Sequence, residues 1–229
     1  MKVDKLTTLN IPTNQFKRIT GECSAEYPIK MMEDLDKNSI IVDCGANIGG
    51  FVNAFKDNFN KFICIEASSY NIERIQINNK DILHKIDLHH KAVSDESFKN
   101  VKLMKYVNDN GDDSPSGCFG TIEHEFDNGA GWKSNVYEEV NTISLEEILS
   151  MVGGNIDLLK VDVEGAEYDF LYKKDLSNIK YITMEVHNFL DKKRDDLIDW
   201  IETTHKEIDT KYDGISMHYV KTWKLVNGK

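Results

Sequence analysis

The chain has 229 residues, of which 40% are hydrophobic and 29% charged, and carries a formal net charge of −11. That length suits one α/β domain with a full core and is short for two, and the composition is that of a soluble globular protein. Arginine occurs only at Arg18, Arg74 and Arg194 and no dense basic block is present. This argues against a nucleic-acid backbone as substrate, since binding phosphates rests on Lys and Arg neutralising them.

Residues 1–38 read as an N-terminal arm and short helix, and residues 39–229 as the main domain. The first 25 residues are polar and weakly patterned, and so predict a loosely attached arm. Tyr27, Met31, Met32 and Leu35 then predict a short helix over 26–35. Ile40, Ile41 and Val42 run through Asp43 and Cys44 into a turn bounded by Gly45, Gly49 and Gly50, followed by an amphipathic stretch over 51–59. This predicts a buried parallel strand, a tight turn and a helix start. Glycines at such a turn let a ligand approach the main chain, and the helix start offers unpaired N–H groups. The next strand, 61–65, ends in Glu66, twenty-one residues past Gly45. An acid about twenty residues beyond the turn is placed to grip a nucleoside ribose by its hydroxyls. A nucleoside-containing cofactor follows. The dinucleotide spacing G-x-G-x-x-G is not met, because Asn47 stands at its middle glycine. A nicotinamide-dependent sugar oxidoreductase is therefore the disfavoured alternative.

A helix is predicted over 71–79, and a third strand ending at 89–94 would bring Ala92 and Val93 near an adenine. His89 and His90 are consecutive on that strand and face opposite sides, so they read as surface or packing residues. Residues 98–107 read as an added strand. An irregular inserted loop follows at about 108–135, with glycines at 111, 117, 120, 129 and 131. Such a segment is expected to be an acceptor-side lid, with an unstructured insertion as the alternative. Ser144 caps a helix carrying Leu145, Ile148 and Leu149. The run 156–167 reads as a strand keeping Lys160, Asp162 and Glu164 on one face by its period of two. Charges on a central strand are costly unless paired or functional. Residues 181–187 form a fifth strand with Glu185 and His187 at its end. A helix over about 192–208 covers the sheet, and 215–226 reads as a closing antiparallel hairpin. Alternating strands and helices give a mostly parallel sheet with right-handed crossovers. Ligands bind outside the C-terminal strand ends of such sheets, where Asp43, Glu66, Asp162, Glu164, Glu185 and His187 fall.

Cys23, Cys44, Cys64 and Cys118 form no C-x-x-C pair and no zinc spacing with histidine, so a reduced, cytoplasmic protein is expected. No apolar run approaches the roughly 18 residues of a membrane span, and the N-terminus lacks a signal-peptide pattern.

The run Asp43-Cys44-Gly45-Ala46-Asn47-Ile48-Gly49, with Glu66 ending the next strand, looks like a class I S-adenosylmethionine-dependent methyltransferase. Adding Ala67, the run Ala92-Val93-Ser94, residues 143–149, the motif Lys160-x-Asp162-x-Glu164-Gly165-x-Glu167 and the run Glu185-Val186-His187, the chain resembles the FkbM-type methyltransferase family over about residues 39–190. The resemblance implies a Rossmann-like fold: a mostly parallel seven-stranded sheet, helices on both faces and a closing antiparallel hairpin. It also implies methyl transfer from S-adenosylmethionine to a hydroxyl, usually on a sugar or other natural product. Cofactor contacts are expected at Asp43, Gly45, Ala46, Asn47, Gly49, Glu66, Ala67, Ala92 and Val93. Asp162, Glu164 and His187 are the candidate catalytic residues. His187 suits a base at neutral pH, while Asp162 and Glu164 would hold acceptor hydroxyls or a divalent cation such as Mg²⁺. Lys160 and Glu185 are candidates for acceptor binding, against the alternative of a buried ion pair between neighbouring strands. The expected partner is a small-molecule or glycan acceptor, with no nucleic acid and no membrane span; a homo-oligomer stays open. A cofactor-binding protein without catalysis would have no use for the charged fourth strand.

Overall fold

The structure is a computed structural model and describes residues 13–96, 99–107, 133–186, 191–212 and 219–226. In chain order the first half contains α1 (Thr13–Glu26), β1 (Ile41–Cys44), α2 (Gly50–Phe55), β2 (Phe62–Glu66), α3 (Ser69–Asn78), β3 (Ile86–His90), β4 (Ala92–Val93) and β5 (Asn100–Val107). The second contains β6 (Lys133–Ile143), α4 (Leu145–Met151), β7 (Ile156–Val161), α5 (Glu167–Leu171), β8 (Ile179–Val186), α6 (Asp191–Glu202), β9 (His205–Tyr212) and β10 (Tyr219–Leu225). Seven strands form one sheet in the order β3-β2-β1-β7-β8-β10-β9. The first five are parallel, and β10 runs antiparallel to both β8 and β9. A smaller sheet, β4-β6-β5, stands beside it.

Every residue of β1 and β2 is buried, which is why these strands read as continuous apolar runs. Successive side chains point to opposite faces, so each strand feeds two cores. Val42, Ile63, Leu159 and Ile182 pack with Ile148, Phe170, Leu197, Ile201 and Trp223 on one face. Ile41, Phe62, Leu158 and Tyr181 pack with Tyr27, Phe51, Phe55 and Ile75 on the other. A fully buried aromatic such as Phe51 stabilises this arrangement by about 1.5–3 kcal/mol. The strand order reverses at β1, which has β2 on one side and β7 on the other. That reversal is the switch point at which such sheets bind ligands.

Several local expectations give way to tertiary structure. Residues 13–26, expected as part of a loose arm, form α1. It buries Ile19 and presents Cys23 toward the core just ahead of Tyr27, whose ring meets Phe51 edge-on at 5.2 Å. The spacing 19, 23, 27 is helical but one residue wide, so the surrounding polar residues hid it. The helix expected over 26–35 is a single 3₁₀ turn, Ile29–Met31, following Pro28, with Met32 buried and Met31 exposed. The third strand divides into β3 and β4, which belong to different sheets. The strand expected to carry Lys160, Asp162 and Glu164 stops at Val161, so Asp162 and Glu164 sit on the turn beyond it. The helix expected to reach 208 stops at Glu202, and residues 205–212 become β9. His205 anchors that strand, its ring nitrogens pairing with Ile179 O and Thr204 Oγ1, both at 2.8 Å. The closing hairpin is thus β9–β10, longer than the one expected at 215–226. Residues 108–132 of the expected lid and His187 lie outside the described residues. Among the described residues no helix is long and apolar enough to cross a membrane.

Candidate active site

The turn after β1 is fastened at almost every peptide. The N–H groups of Gly45 and Ala46 donate to Ile65 O at 3.0 and 3.2 Å. The side-chain amide of Asn78 donates to Ile48 O at 2.9 Å, and that of Asn79 to Gly49 O at 3.4 Å. Gly45 has φ +76°, and a Cβ there would fall on the carbonyl oxygen of Asp162. The turn after β1 and the turn after β7 therefore meet in close main-chain contact, and the Asp162 N–H donates to Cys44 O at 3.1 Å. Asn47, at φ 51°, is one of the few residue types that tolerate the left-handed region.

Glu66 ends β2 with its carboxylate buried against this turn. The Asn47 N–H donates to Oε2 at 2.8 Å. The Ser68 N–H and the Asn71 side-chain amide donate to Oε1 at 2.8 and 3.3 Å. A carboxylate has roughly four acceptor sites, so Oε2 keeps capacity for one further donor. Burial pushes the Glu66 carboxyl up to about 7, with the backbone N–H groups of Ser68 and Asn47 opposing it.

Lys160 is buried at the end of β7, directly opposite Asp43 in the β1–β7 register. Its Nζ lies 3.1 Å from Asp43 Oδ1 and 3.5 Å from Asp162 Oδ2, and donates to Gly45 O at 2.7 Å and Cys44 O at 3.4 Å. Burial alone would lower the lysine's pKa; the charges of Asp43 and Asp162 outweigh it and hold the group cationic. Burial also pushes the Asp43 carboxyl up, and the Lys160 ammonium opposes that. The alternative reading, an ion pair between Lys160 and Glu185, gives way to this pairing. Thr183, not Glu185, is the β8 residue opposite Lys160, and Glu185 lines a separate recess with Tyr168, Met184 and Arg194.

Glu167 fixes the turn that follows β7. Its buried carboxylate accepts from the N–H groups of Val163 at 3.3 Å and Gly165 at 2.9 Å. Between those two donors Glu164 is held at φ 52°, a conformation that costs a non-glycine residue about 1–3 kcal/mol.

These turns line one open cleft at the C-terminal ends of the strands, where such sheets bind ligands. Of the expected residues, Gly45, Asn47, Glu66, Ala67, Ala92, Val93, Asp162 and Glu164 line it. Asp43, Ala46 and Gly49 lie behind its wall and act on it through the turn: Asp43 is fully buried, Ala46 packs into the core and Gly49 faces Asn79. Lys160 is likewise too deeply buried to line it. Ser68, Asn71, Lys91, Leu103 and Ala166 line the cleft without having been singled out from the sequence. Ser68 carried a signal, since it caps α3 by accepting from the Asn71 N–H at 3.4 Å. His89 pairs with Asp87, while His90 turns to Ala67 O and Glu138. Among the described residues no group of three His, Cys, Asp or Glu side chains could hold a metal ion, so Asp162 and Glu164 find no third ligand for Mg²⁺ there.

A family model of the methyltransferase FkbM domain matches residues 43–211, from the buried aspartate of β1 to the end of β9. The chain belongs to the FkbM methyltransferase family. Among solved structures, this family member is similar to the methyltransferase FkbM from Methylobacillus flagellatus (TM-score 0.56, 13% identity), covering 88% of its own chain and 47% of the other, so it spans about half that protein's length. It is similar also to an rRNA methylase from Streptococcus thermophilus (TM-score 0.52, 10% identity, 88% and 98% covered). A third is a putative methyltransferase from Streptococcus mutans in complex with SAH (TM-score 0.50, 10% identity, 88% and 99% covered). At these identities the likeness is one of fold. No curated protein matches the sequence. Membership implies S-adenosylmethionine as methyl donor, and the residues present fit it. Glu66 has an acceptor for a ribose hydroxyl. Ile65, Ala92, Val93 and Leu103 offer apolar walls for a flat heterocycle.

Proposed function

We propose that this methyltransferase transfers the methyl group of S-adenosylmethionine to a hydroxyl of a sugar or sugar-containing metabolite. The observation that carries the reading is the placement of Asp162 and Glu164 on a fixed turn in the same cleft as Glu66. Glu66 takes a ribose hydroxyl, and Ala67, Ala92 and Val93 flank the adenine. Gly45 and Asn47 adjoin the amino-acid part. Bound there, S-adenosylmethionine supplies an electrophilic methyl group. Asp162 and Glu164 accept hydrogen bonds from the acceptor's hydroxyls and aim one oxygen, and positioning of that kind supplies much of the rate. His187, next in sequence after Val186, takes the proton. Two carboxylates at the rim and a net charge of −11 favour an uncharged polyol over a phosphate backbone. Free thiols at Cys23, Cys44 and Cys64 support a reducing compartment, the cytoplasm.

The test is S-adenosylhomocysteine release from the purified protein with S-adenosylmethionine and a panel of free and nucleotide-linked sugars, beside structured oligoribonucleotides. Turnover with a sugar supports the reading. Turnover with RNA alone overturns it.

A further inference from the structure

Lys160 belongs to neither side of the reaction yet touches both. Its single ammonium reaches Gly45 O at 2.7 Å in the turn that lines the cofactor side, and lies 3.5 Å from Asp162 Oδ2 on the acceptor side. Its remaining counter-charge is Asp43, 3.1 Å away and fully buried. With 4% of its side chain exposed, Lys160 has no reach into the cleft.

We infer that Lys160 is a positioning residue for this methyl transfer and not a ligand of the acceptor: its ammonium pins the glycine turn to the Asp162 turn and so fixes the spacing between donor and acceptor sides. The inference rests on the methyltransferase reading for its purpose, but not for its geometry. An ion pair buried between strands is weak evidence for stability; one that also clamps two main-chain turns has a geometric use. Catalytic groups misplaced by about 1 Å cost on the order of 10²-fold in rate, which gives such a clamp its value.

The decisive variant is Lys160→Met combined with Asp43→Asn, which removes the buried pair together and leaves only the partly exposed Asp162 without its cation. The expected result is a thermal midpoint close to that of the wild type. Amide exchange at Ala46 and Asp162 in the unliganded protein should be at least tenfold faster, with Ile63 in β2 unchanged. Calorimetric affinity for S-adenosylhomocysteine should be at least tenfold weaker. A purely structural role would move the midpoint and leave the affinity of the folded protein alone. Should the double variant not fold, Lys160→Arg keeps the charge beside Asp43 but carries a longer, planar head that displaces the turn. It is read by the same two measurements. Exchange and affinity within threefold of wild type, in whichever of the two is folded, overturn the inference. A wild-type protein that does not bind S-adenosylhomocysteine sinks the methyltransferase reading instead, and the exchange arm still decides the clamp.

Discussion

Glu66 makes cofactor binding depend on pH in a range where few carboxylates titrate. Burial holds its carboxyl at about 7, while its three N–H donors and a ribose hydroxyl all call for the ionised form. At pH 6 about a tenth of such a group is ionised and at pH 8 about nine tenths. If only the ionised form binds, the dissociation constant for S-adenosylhomocysteine falls about tenfold across that range, about 1.4 kcal/mol. Stability moves the opposite way. The folded-state pKa is raised above the ordinary value of 4.5, so the contribution is fully present below pH 4.5 and is lost as pH rises through about 7. Its size is on the order of 3 kcal/mol. Glu66→Gln should remove both dependences and bind more weakly at pH 8, since an amide cannot accept from both the Asn47 and Ser68 N–H groups. The assay is calorimetry at pH 6, 7 and 8 with urea midpoints alongside. A wild-type affinity flat across that range, or a glutamine variant as tight as wild type at pH 8, would refute the reasoning.

Gly45→Ala forces a Cβ onto the Asp162 carbonyl at positive φ, at a cost of about 3 kcal/mol or more. Differential scanning fluorimetry should show the midpoint fall by roughly 6–12 °C; a drop under 2 °C would mean that the two turns part easily. Glu167→Gln leaves one N–H of the 163–165 turn without a charged acceptor, expected to cost about 1–3 kcal/mol in a urea titration and to lower acceptor turnover while S-adenosylhomocysteine still binds. Lys160→Met alone strands the buried Asp43 and should destabilise by about 3–5 kcal/mol, with Asp43→Asn added to it restoring most of that loss. For His187→Ala the measurement is the pH–rate profile with the sugar acceptor. The alkaline-rising limb near neutral pH should vanish, and an unaltered profile at full rate would remove His187 as base.

Where one residue's chemistry decided the outcome, the sequence was legible. The glycine turn, Glu66 at its distance, Ala92-Val93 and the Asp162–Glu164 pair all line one cleft, because β-strand ends and turn glycines are local features with fixed geometric consequences. The mostly parallel sheet with its closing antiparallel strands was legible too, but the residue-by-residue pairing of strands was not. That Lys160 pairs with Asp43 follows from the β1–β7 register, and no periodicity within either strand reveals which strand lies beside it. Helix α1 was hidden because its contribution to the core runs through Ile19 and Cys23, in single file with Tyr27 just beyond its end. Strand β9 was hidden because its one deeply buried residue, His205, is polar and holds its place through hydrogen bonds.

The position of β10 shapes how the chain reaches this sheet. Strand β9 precedes β10 in sequence but, among the described residues, pairs with β10 alone, which itself fills the place beside β8. As the polypeptide is synthesised, β9 therefore has no partner when it emerges, and β8 presents an open edge that only a later segment closes. Such an edge can pair with the wrong chain. The vulnerable interval lasts until Tyr219–Leu225 pairs with both neighbours, burying Val220 and Trp223 on opposite faces of that strand.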